Sequence, residues 1–193
     1  MKKYIEDMFD EAIKAHKEFA LDHAGIIEEI AKTIAECFEN GNKLLIFGNG
    51  GSAADAQHIA AEFASRFVME RPPLAAVALT TDTSLLTAVG NDYSFDEVFE
   101  KQVSALANSG DVVWGISTSG NSENVIRGLK RAIKCEAKTI GFAGKDGGKM
   151  PGLCDKILIV DHQSTARIQE IHIMSAHIIC GLIDEIMFGR FSG

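Results

Sequence analysis

The stretch Lys43-Leu44-Leu45-Ile46-Phe47-Gly48-Asn49-Gly50-Gly51-Ser52-Ala53 runs from a short apolar segment through a glycine cluster into an alanine-rich helical segment over residues 52–67. A strand, a glycine loop and a helix in this order are typical of an α/β sheet protein. The sequence also predicts a helix that ends at Lys134 and a last helix from about Thr165 to Met187. Four further apolar runs predict strands over residues 75–79, 111–116, 138–142 and 156–160. This alternation predicts a parallel sheet covered on both faces, with ligands at its carboxyl edge.

The first forty residues predict helices that precede the sheet. Apolar side chains recur there every three or four positions, the spacing of an amphipathic helix. Gly25 is expected to break this segment into two helices, and Gly41 to end the second. We therefore expect an N-terminal helical arm over residues 1–40, used for oligomerisation, and a sheet domain over residues 41–193. The two parts together form effectively a single domain.

Composition and charge exclude several classes of protein. Hydrophobic residues make up 46% of the 193 residues and charged residues 24%, so the chain can bury a core and is not predominantly disordered. With 19 Lys and Arg against 27 Asp and Glu, the net charge of −8 disfavours binding to nucleic acid. The apolar runs are too short to span a membrane, and no signal peptide is recognisable. Four scattered cysteines suit reduced thiols, so we expect a cytoplasmic protein.

Two polar loops follow predicted strands and open predicted helices, where backbone amides can bind an anion. The first, residues 48–53, also matches the dinucleotide pattern G-x-G-x-x-A, for which Asp82 could bind the ribose, and it could equally be a tight glycine turn. The second, Ser117-Thr118-Ser119-Gly120-Asn121-Ser122, carries four hydroxyl side chains, whereas a simple helix cap needs only one. Together the loops favour a sugar-phosphate site over a dinucleotide site.

Ionisable side chains in two helices are candidates for catalysis or metal binding. His58 and Glu62 share a helix face, where they could bind a divalent metal, act as acid and base, or form an ordinary surface contact. In the last helix His172 lies one turn from Gln169 and could be a buried histidine with a satisfied hydrogen bond. His177 lies about 80° around and roughly 12 Å along an ideal helix from Gln169. One metal ion can bind both only if Gln169 precedes the regular helix or if a second subunit supplies one of them.

The motifs taken together resemble the sugar isomerase (SIS) domain family, and within it the phosphoheptose isomerases. The resemblance covers nearly the whole chain and rests on residues 48–52, 55–58 with Glu62, 89–92, 115–122, 144–148 and 167–172. It implies a three-layer α/β sandwich with a central, mostly parallel five-stranded sheet of flavodoxin-like topology, preceded by N-terminal helices. It also implies isomerisation of sedoheptulose 7-phosphate to D-glycero-D-manno-heptose 7-phosphate. That aldose–ketose reaction begins bacterial heptose synthesis for lipopolysaccharide or capsule.

The same resemblance implies roles for individual residues. Zinc, one ion per subunit, is implied to bind His58, Glu62, Gln169 and His177. Members are homotetramers with active sites between subunits, which agrees with the separation of Gln169 and His177. The resemblance implies that the phosphate binds Ser52, Ser117, Thr118, Ser119 and Ser122. It implies that the sugar binds Asn49, Gly50, Asn91, Asp92 and Gln169, and that Gly51 of the first loop also contributes to substrate binding.

Isomerisation through an enediol needs a base at carbon and an acid at the carbonyl oxygen. We assign Glu62 as the base and His177 as the acid. A metal-bound carboxylate is a weaker base, so catalysis would require Glu62 to leave the ion. Because protein and substrate are both negatively charged, a nearby cation is expected to assist binding, and Arg66 and Lys145 are the candidates.

The alternative function is that of a non-enzymatic SIS-domain regulator, which binds a replication initiator protein. Residues 164–170 are shared with that branch and do not discriminate between the two functions. The regulator branch lacks the acid and base at the positions matching Glu62 and His177, and both are present here. The sequence therefore favours an enzyme.

Overall fold

Five strands and six α-helices alternate along the chain in the computed structural model, which describes residues 1–189. Two short 3-10 segments, Phe95–Glu97 and Pro151–Leu153, supplement them. The strands are β1 (Leu44–Gly48), β2 (Ala76–Ala78), β3 (Val112–Ser117), β4 (Lys138–Gly144) and β5 (Lys156–Val160). The helices are α1 (Lys2–Glu39), α2 (Gly51–Ala64), α3 (Thr83–Asp92), α4 (Val98–Leu106), α5 (Glu123–Lys134) and α6 (Thr165–Met187).

The strands form one sheet in the order β2-β1-β3-β4-β5, and all four pairings are parallel. This is the flavodoxin-like order that the family resemblance implies. The chain leaves β1 towards β2 and later returns to β3 on the other side of β1. The carboxyl ends of β1 and β3 therefore border the topological switch point, where open α/β sheets bind their ligands.

Helices cover both faces of the sheet and complete the predicted three layers. Successive side chains of a strand point to opposite faces, so Ile46 packs in the core beneath α1, α2 and α6. Its neighbour Phe47 packs in the second core, beneath α4 and α5, with its ring stacked on Phe99 at 4.7 Å between centroids. The central strands β1 and β3 are buried along their whole length, which explains their continuous apolar sequence.

The predicted break at Gly25 is wrong, because α1 is a single helix from Lys2 to Glu39. Gly25 has no positive φ and has open space around it, so nothing in its surroundings requires a turn. A glycine inside a helix costs only about 1 kcal/mol. The second half of α1 packs on α6 and buries Ile27, Ile30 and Ile34, which offsets that cost. Gly41, with φ +74°, follows the end of this helix as predicted.

The segment between β2 and β3 contains two helices, α3 and α4, that are not among the elements predicted from the sequence. In α3 only Val89 is buried, with Leu85 and Leu86 partly buried against the same core, so the apolar pattern spans five residues and is too short to predict a helix. Its start is marked instead by Asp82, whose Oδ1 accepts a hydrogen bond from the Leu85 amide at 2.9 Å. Asp82 is thus a helix cap at the position where the dinucleotide interpretation required a ribose ligand.

The four cysteines are free, in agreement with the expectation of reduced thiols. Burial raises the pKa of Cys37 to about 11 and the pKa values of Cys154 and Cys180 to about 12, so these thiols are protonated at neutral pH. Within residues 1–189, no helix combines the length and apolar character needed to cross a bilayer.

Candidate active site

The two predicted loops lie side by side at the switch point. In the register of β1 and β3, Gly48 is paired with Ile116, so residues 49–52 and 117–122 leave the same edge of the sheet. A reciprocal amide pair joins the loops, because Asn49 donates to Asn124 Oδ1 and Asn124 donates to Asn49 Oδ1, both at 2.9 Å. Asn124 is buried at the start of α5. Its role was missed because a single asparagine in a first helical turn carries no distinguishing sequence signal.

The hydroxyl side chains of the second loop converge. Ser117 Oγ lies 3.0 Å from Ser122 Oγ and 3.4 Å from Ser119 Oγ, so three hydroxyls form one group at the end of β3. Thr118 lies within the same loop and is partly exposed. Ser52, from the first loop, is buried at the start of α2. Clustered hydroxyl donors next to a helix N-terminus suit the oxygens of a phosphate group.

Helices α2 and α6 pack against each other beside these loops. The side chain of Gln169 lies over Gly51, where a Cβ atom would come within 2.5 Å of Nε2 of the glutamine. Two turns further along both helices, His177 Nε2 lies 3.4 Å from His58 Nε2. The two helices therefore run side by side in the same direction, and α6 places polar groups against the start and the middle of α2.

His58, Glu62 and His177 form a compact group of three potential metal ligands. Their ligand atoms all lie within 4.8 Å of one another, and His58 Nε2 lies 3.0 Å from Glu62 Oε1. Tetrahedral zinc, with bonds of about 2.0–2.1 Å to nitrogen, holds neighbouring ligand atoms about 3.3 Å apart. The separations in this group and its donor set of two imidazoles and one carboxylate fit such an ion. The His58–Glu62 pair on α2 is therefore part of a three-residue group that includes His177 of α6.

Gln169 does not join this group within one chain. Helix α6 is regular from Thr165 to Met187, so Gln169 does not precede the regular helix. The first of the two explanations for a shared ion is therefore wrong. Only a contribution from a second subunit can bring Gln169 and His177 to one ion.

Three other predicted substrate ligands contact neighbours other than this group. Asn91 and Asp92 are exposed at the end of α3, where Asn91 Nδ2 donates to Asp92 Oδ1 at 2.8 Å. Arg66 lies just beyond the end of α2 and its Nε is 3.5 Å from Glu70 Oε2. Their roles in substrate binding stay predictions.

Two further ionisable groups lie close to the site. Burial raises the pKa of Asp55, which lies on α2 between Ser52 and His58, although the nearby His58 charge opposes the shift. His172 is 1% exposed, and its Nε2–H donates to the carbonyl oxygen of Ala143 at 3.0 Å. Burial lowers the pKa of His172 to about 4, so the ring is neutral at physiological pH. His172 is the buried, hydrogen-bonded histidine that the sequence analysis anticipated as one alternative.

Comparison with known proteins places these features in a family. The family model described as SIS domain matches residues 7–144, which include both loops, His58 and Glu62. The chain belongs to the SIS domain family. Helix α6, which carries Gln169 and His177, lies outside the part of the chain that the SIS model matches.

Full-length relatives of this SIS domain protein extend the similarity to nearly the whole chain. A phosphoheptose isomerase from Nitratidesulfovibrio vulgaris is 53% identical over 178 residues, covering 92% of this chain and 86% of the relative. The solved structure of a phosphoheptose isomerase from Neisseria gonorrhoeae has a TM-score of 0.90 at 48% identity, with coverage of 95% and 99%. One from Francisella tularensis has a TM-score of 0.92 at 40% identity, with coverage of 95% and 97%. In both comparisons the shared fold therefore extends over nearly the whole of this chain and of the solved structure.

Proposed function

We propose that this protein is a phosphoheptose isomerase that converts sedoheptulose 7-phosphate to D-glycero-D-manno-heptose 7-phosphate. The observation that carries the proposal is the placement of an acid–base group, Glu62 and His177, on helices that border two phosphate-type loops. The relatives named above, which carry the same activity in their names, support it. An assay of the purified protein with sedoheptulose 7-phosphate tests it directly, and absence of turnover by folded protein would contradict it.

The loops supply binding and orientation. The hydroxyls of Ser117, Ser119 and Ser122, with Thr118 and Ser52, would bind the phosphate, and Gly50 and Gly51 belong to the neighbouring loop at the same sheet edge. A phosphate anchored at one end holds a seven-carbon sugar so that its C1 and C2 reach the acid and base. Asn49 would contact the sugar while Asn124 holds its side chain in place.

Glu62 and His177 would move the protons. The Glu62 carboxylate removes a proton from one carbon and returns it to its neighbour, and the His177 imidazole exchanges a proton with the carbonyl oxygen. His58 lies between them, 3.0 Å from Glu62 Oε1 and 3.4 Å from His177 Nε2, and restrains both side chains. His58, Glu62 and His177 would also hold zinc, which would supply polarisation of the substrate oxygen, and Glu62 would act as the base when it is not bound to the ion.

We further propose that the protein is a homotetramer in which Gln169 of one chain completes the metal site of another. Exposed apolar side chains on α1 and α6, including Tyr4, Phe9, Met174 and Ile178, support an interface between chains. An apolar cavity of about 360 Å³ between these helices supports it as well, because a partner helix would fill it. The helical arm over residues 1–40 would then serve oligomerisation. A cytoplasmic location and supply of heptose for lipopolysaccharide or capsule belong to the same proposal.

Mixed oligomers test whether the site is shared. A Glu62→Gln chain and a Gln169→Ala chain, each inactive alone, are expected to regain turnover when they are dissociated and reassembled together. In the mixed oligomer, a chain with intact His58, Glu62 and His177 receives Gln169 from the Glu62→Gln chain. The matched control mixes Glu62→Gln with His177→Gln, which should stay inactive because both groups belong to the same chain's cluster. Recovery in the control, or none in the test pair, would contradict the arrangement.

Removing the charge of Arg66 tests its assignment to the substrate. We expect Arg66→Ala to raise KM for sedoheptulose 7-phosphate several-fold and to change kcat by less than about twofold, because a remote cation stabilises substrate and transition state alike. Lys134→Ala, which removes one charge from the far end of α5, serves as the control. A large loss of kcat at unchanged KM would instead place Arg66 at the reacting atoms.

A further inference from the structure

A buried arginine, Arg71, contacts the end of α2. The side chain of Arg71 is 1% exposed. Its Nη2 donates to the carbonyl oxygen of Glu62 and its Nη1 to that of Phe63, both at 2.9 Å. Nη1 also approaches the carbonyl oxygens of Ser65 at 3.3 Å and Pro72 at 3.2 Å. The guanidinium thus contacts three backbone carbonyls at the end of the helix that carries His58 and Glu62, and in addition the carbonyl of Pro72 next to it in the chain.

These contacts make Arg71 the cap of α2. The last carbonyls of a helix have no partners within the helix, and the end of a helix carries partial negative charge. Many helices end on a glycine in the left-handed conformation, but α2 ends on Ser65 at φ −106°. The guanidinium supplies both the missing donors and the compensating positive charge. It contacts the backbone of Glu62 itself.

The counterion of Arg71 lies on the other helix of the site. Arg71 Nε donates to Asp184 Oδ1 at 2.5 Å, and the Asp184 side chain is only 4% exposed. Asp184 lies seven residues after His177 on α6, which is two turns and therefore the same side of the helix. A second oxygen of Asp184 accepts from the Met69 amide at 3.5 Å. One ion pair therefore connects the end of α2 to α6, two turns of α6 beyond the His58–His177 contact.

We propose that Arg71 and Asp184 are positioning residues, which set the spacing of α2 and α6 so that His177 on α6 meets His58 and Glu62 on α2. The proposal rests on the function proposed above for these three side chains. Arg71 holds Glu62 in place through the backbone carbonyl of Glu62. Asp184 holds His177 in place through the two turns of α6 that separate these residues. Neither positioning residue touches the substrate. Loss of the pair is expected to separate the ligand group while the rest of the sheet domain stays folded.

A second buried ion pair provides a matched control. Lys43 Nζ lies 2.6 Å from Asp111 Oδ2, and the Asp111 side chain is 2% exposed. Asp111 also accepts from the amides of Lys43 and Asn108. This pair joins the segments before β1 and β3, at the opposite edge of the sheet from the site. Asp111→Asn and Asp184→Asn therefore make the same chemical change to a buried, paired carboxylate, but only the second change affects α6.

The experiment compares Asp184→Asn, Arg71→Lys, Asp111→Asn and the parent chain, all as intact folded protein. Zn²⁺ is titrated against a competing chelator, and kcat and KM for sedoheptulose 7-phosphate are measured separately. We expect Asp184→Asn to weaken Zn²⁺ binding by about 10–100-fold, the range found when groups that orient metal ligands are removed. We also expect its kcat to fall at least tenfold with KM changed less. Asp111→Asn should lower the melting temperature but keep Zn²⁺ affinity and kcat within about twofold of the parent.

Arg71→Lys covers the case in which Asp184→Asn does not fold. Lysine keeps the charge opposite Asp184 but has no planar fork to reach the carbonyls of Glu62 and Phe63 at the same time. Its Zn²⁺ affinity and kcat should therefore also fall. Parental affinity and kcat in folded Asp184→Asn or Arg71→Lys would overturn the inference, as would equal losses in Asp111→Asn.

The two readouts separate this inference from the proposed function. A parent chain that binds Zn²⁺ but does not isomerise the sugar would refute the function, and the Zn²⁺ titrations would still test the positioning residues. Parental Zn²⁺ affinity in the variants of an active enzyme would refute the positioning alone. A parent that neither binds Zn²⁺ nor isomerises the sugar would overturn both.

Discussion

Glu62→Gln and His177→Gln are each expected to reduce kcat for sedoheptulose 7-phosphate by about 10²–10⁴-fold, the contribution typical of a positioned acid or base. Glutamine keeps the size of Glu62 but cannot accept the proton from carbon. At position 177 it removes the group that exchanges a proton with the carbonyl oxygen. Both side chains are partly exposed, Glu62 about three-quarters buried beside His58, so the fold should not change. Steady-state kinetics and circular dichroism measure the two effects.

The control for these variants is Glu100→Gln in α4, which lies in the opposite helical layer. It should keep parental kinetics, because it makes the same chemical change away from the site. If either active-site variant kept more than a tenth of the parental kcat while folded, its assigned role in proton transfer would be wrong.

Gly120→Ala is expected to disrupt the phosphate loop and to raise KM for the sugar phosphate at least tenfold. Gly120 has φ +64°, and a Cβ atom there would lie 2.0 Å from the carbonyl oxygen of Gly147. Left-handed backbone in a residue other than glycine costs about 1–3 kcal/mol, and the contact with a backbone atom requires one loop to move. Because Ser119 and Ser122 flank this position, the hydroxyl group around Ser117 would move with it.

Gly152→Ala is the matched control for this change. Gly152 has no positive φ, and a Cβ atom there would meet no other atom within 4 Å. We expect its KM and its unfolding free energy to remain close to those of the parent, whereas Gly120→Ala should also unfold at lower denaturant concentration. An unchanged KM in Gly120→Ala would contradict the assignment of the serine loop to the phosphate.

The strands and the long final helix could be predicted because their signals are local. Buried parallel strands are apolar along their length, and α6 matches its predicted limits of Thr165 and Met187. Helix α3 could not be predicted, because its apolar pattern of Leu85, Leu86 and Val89 spans little more than one turn. The wrong break at Gly25 has the opposite origin: a local helix-breaking preference was outweighed by packing of α1 against α6.

For the site, the sequence by itself determined the parts whose partners are close in the chain. These parts are the glycine loop, the serine loop and the His58–Glu62 pair, because a strand end or a helical turn brings together residues a few positions apart. Only the tertiary structure decided that His177 meets His58 across 119 positions, that Asn49 pairs with Asn124, and that Arg71 pairs with Asp184 across 113. Such contacts depend on the strand order and on the packing of α6 along α2. Both result from burial of apolar faces over the whole chain, and no local stretch of sequence specifies them.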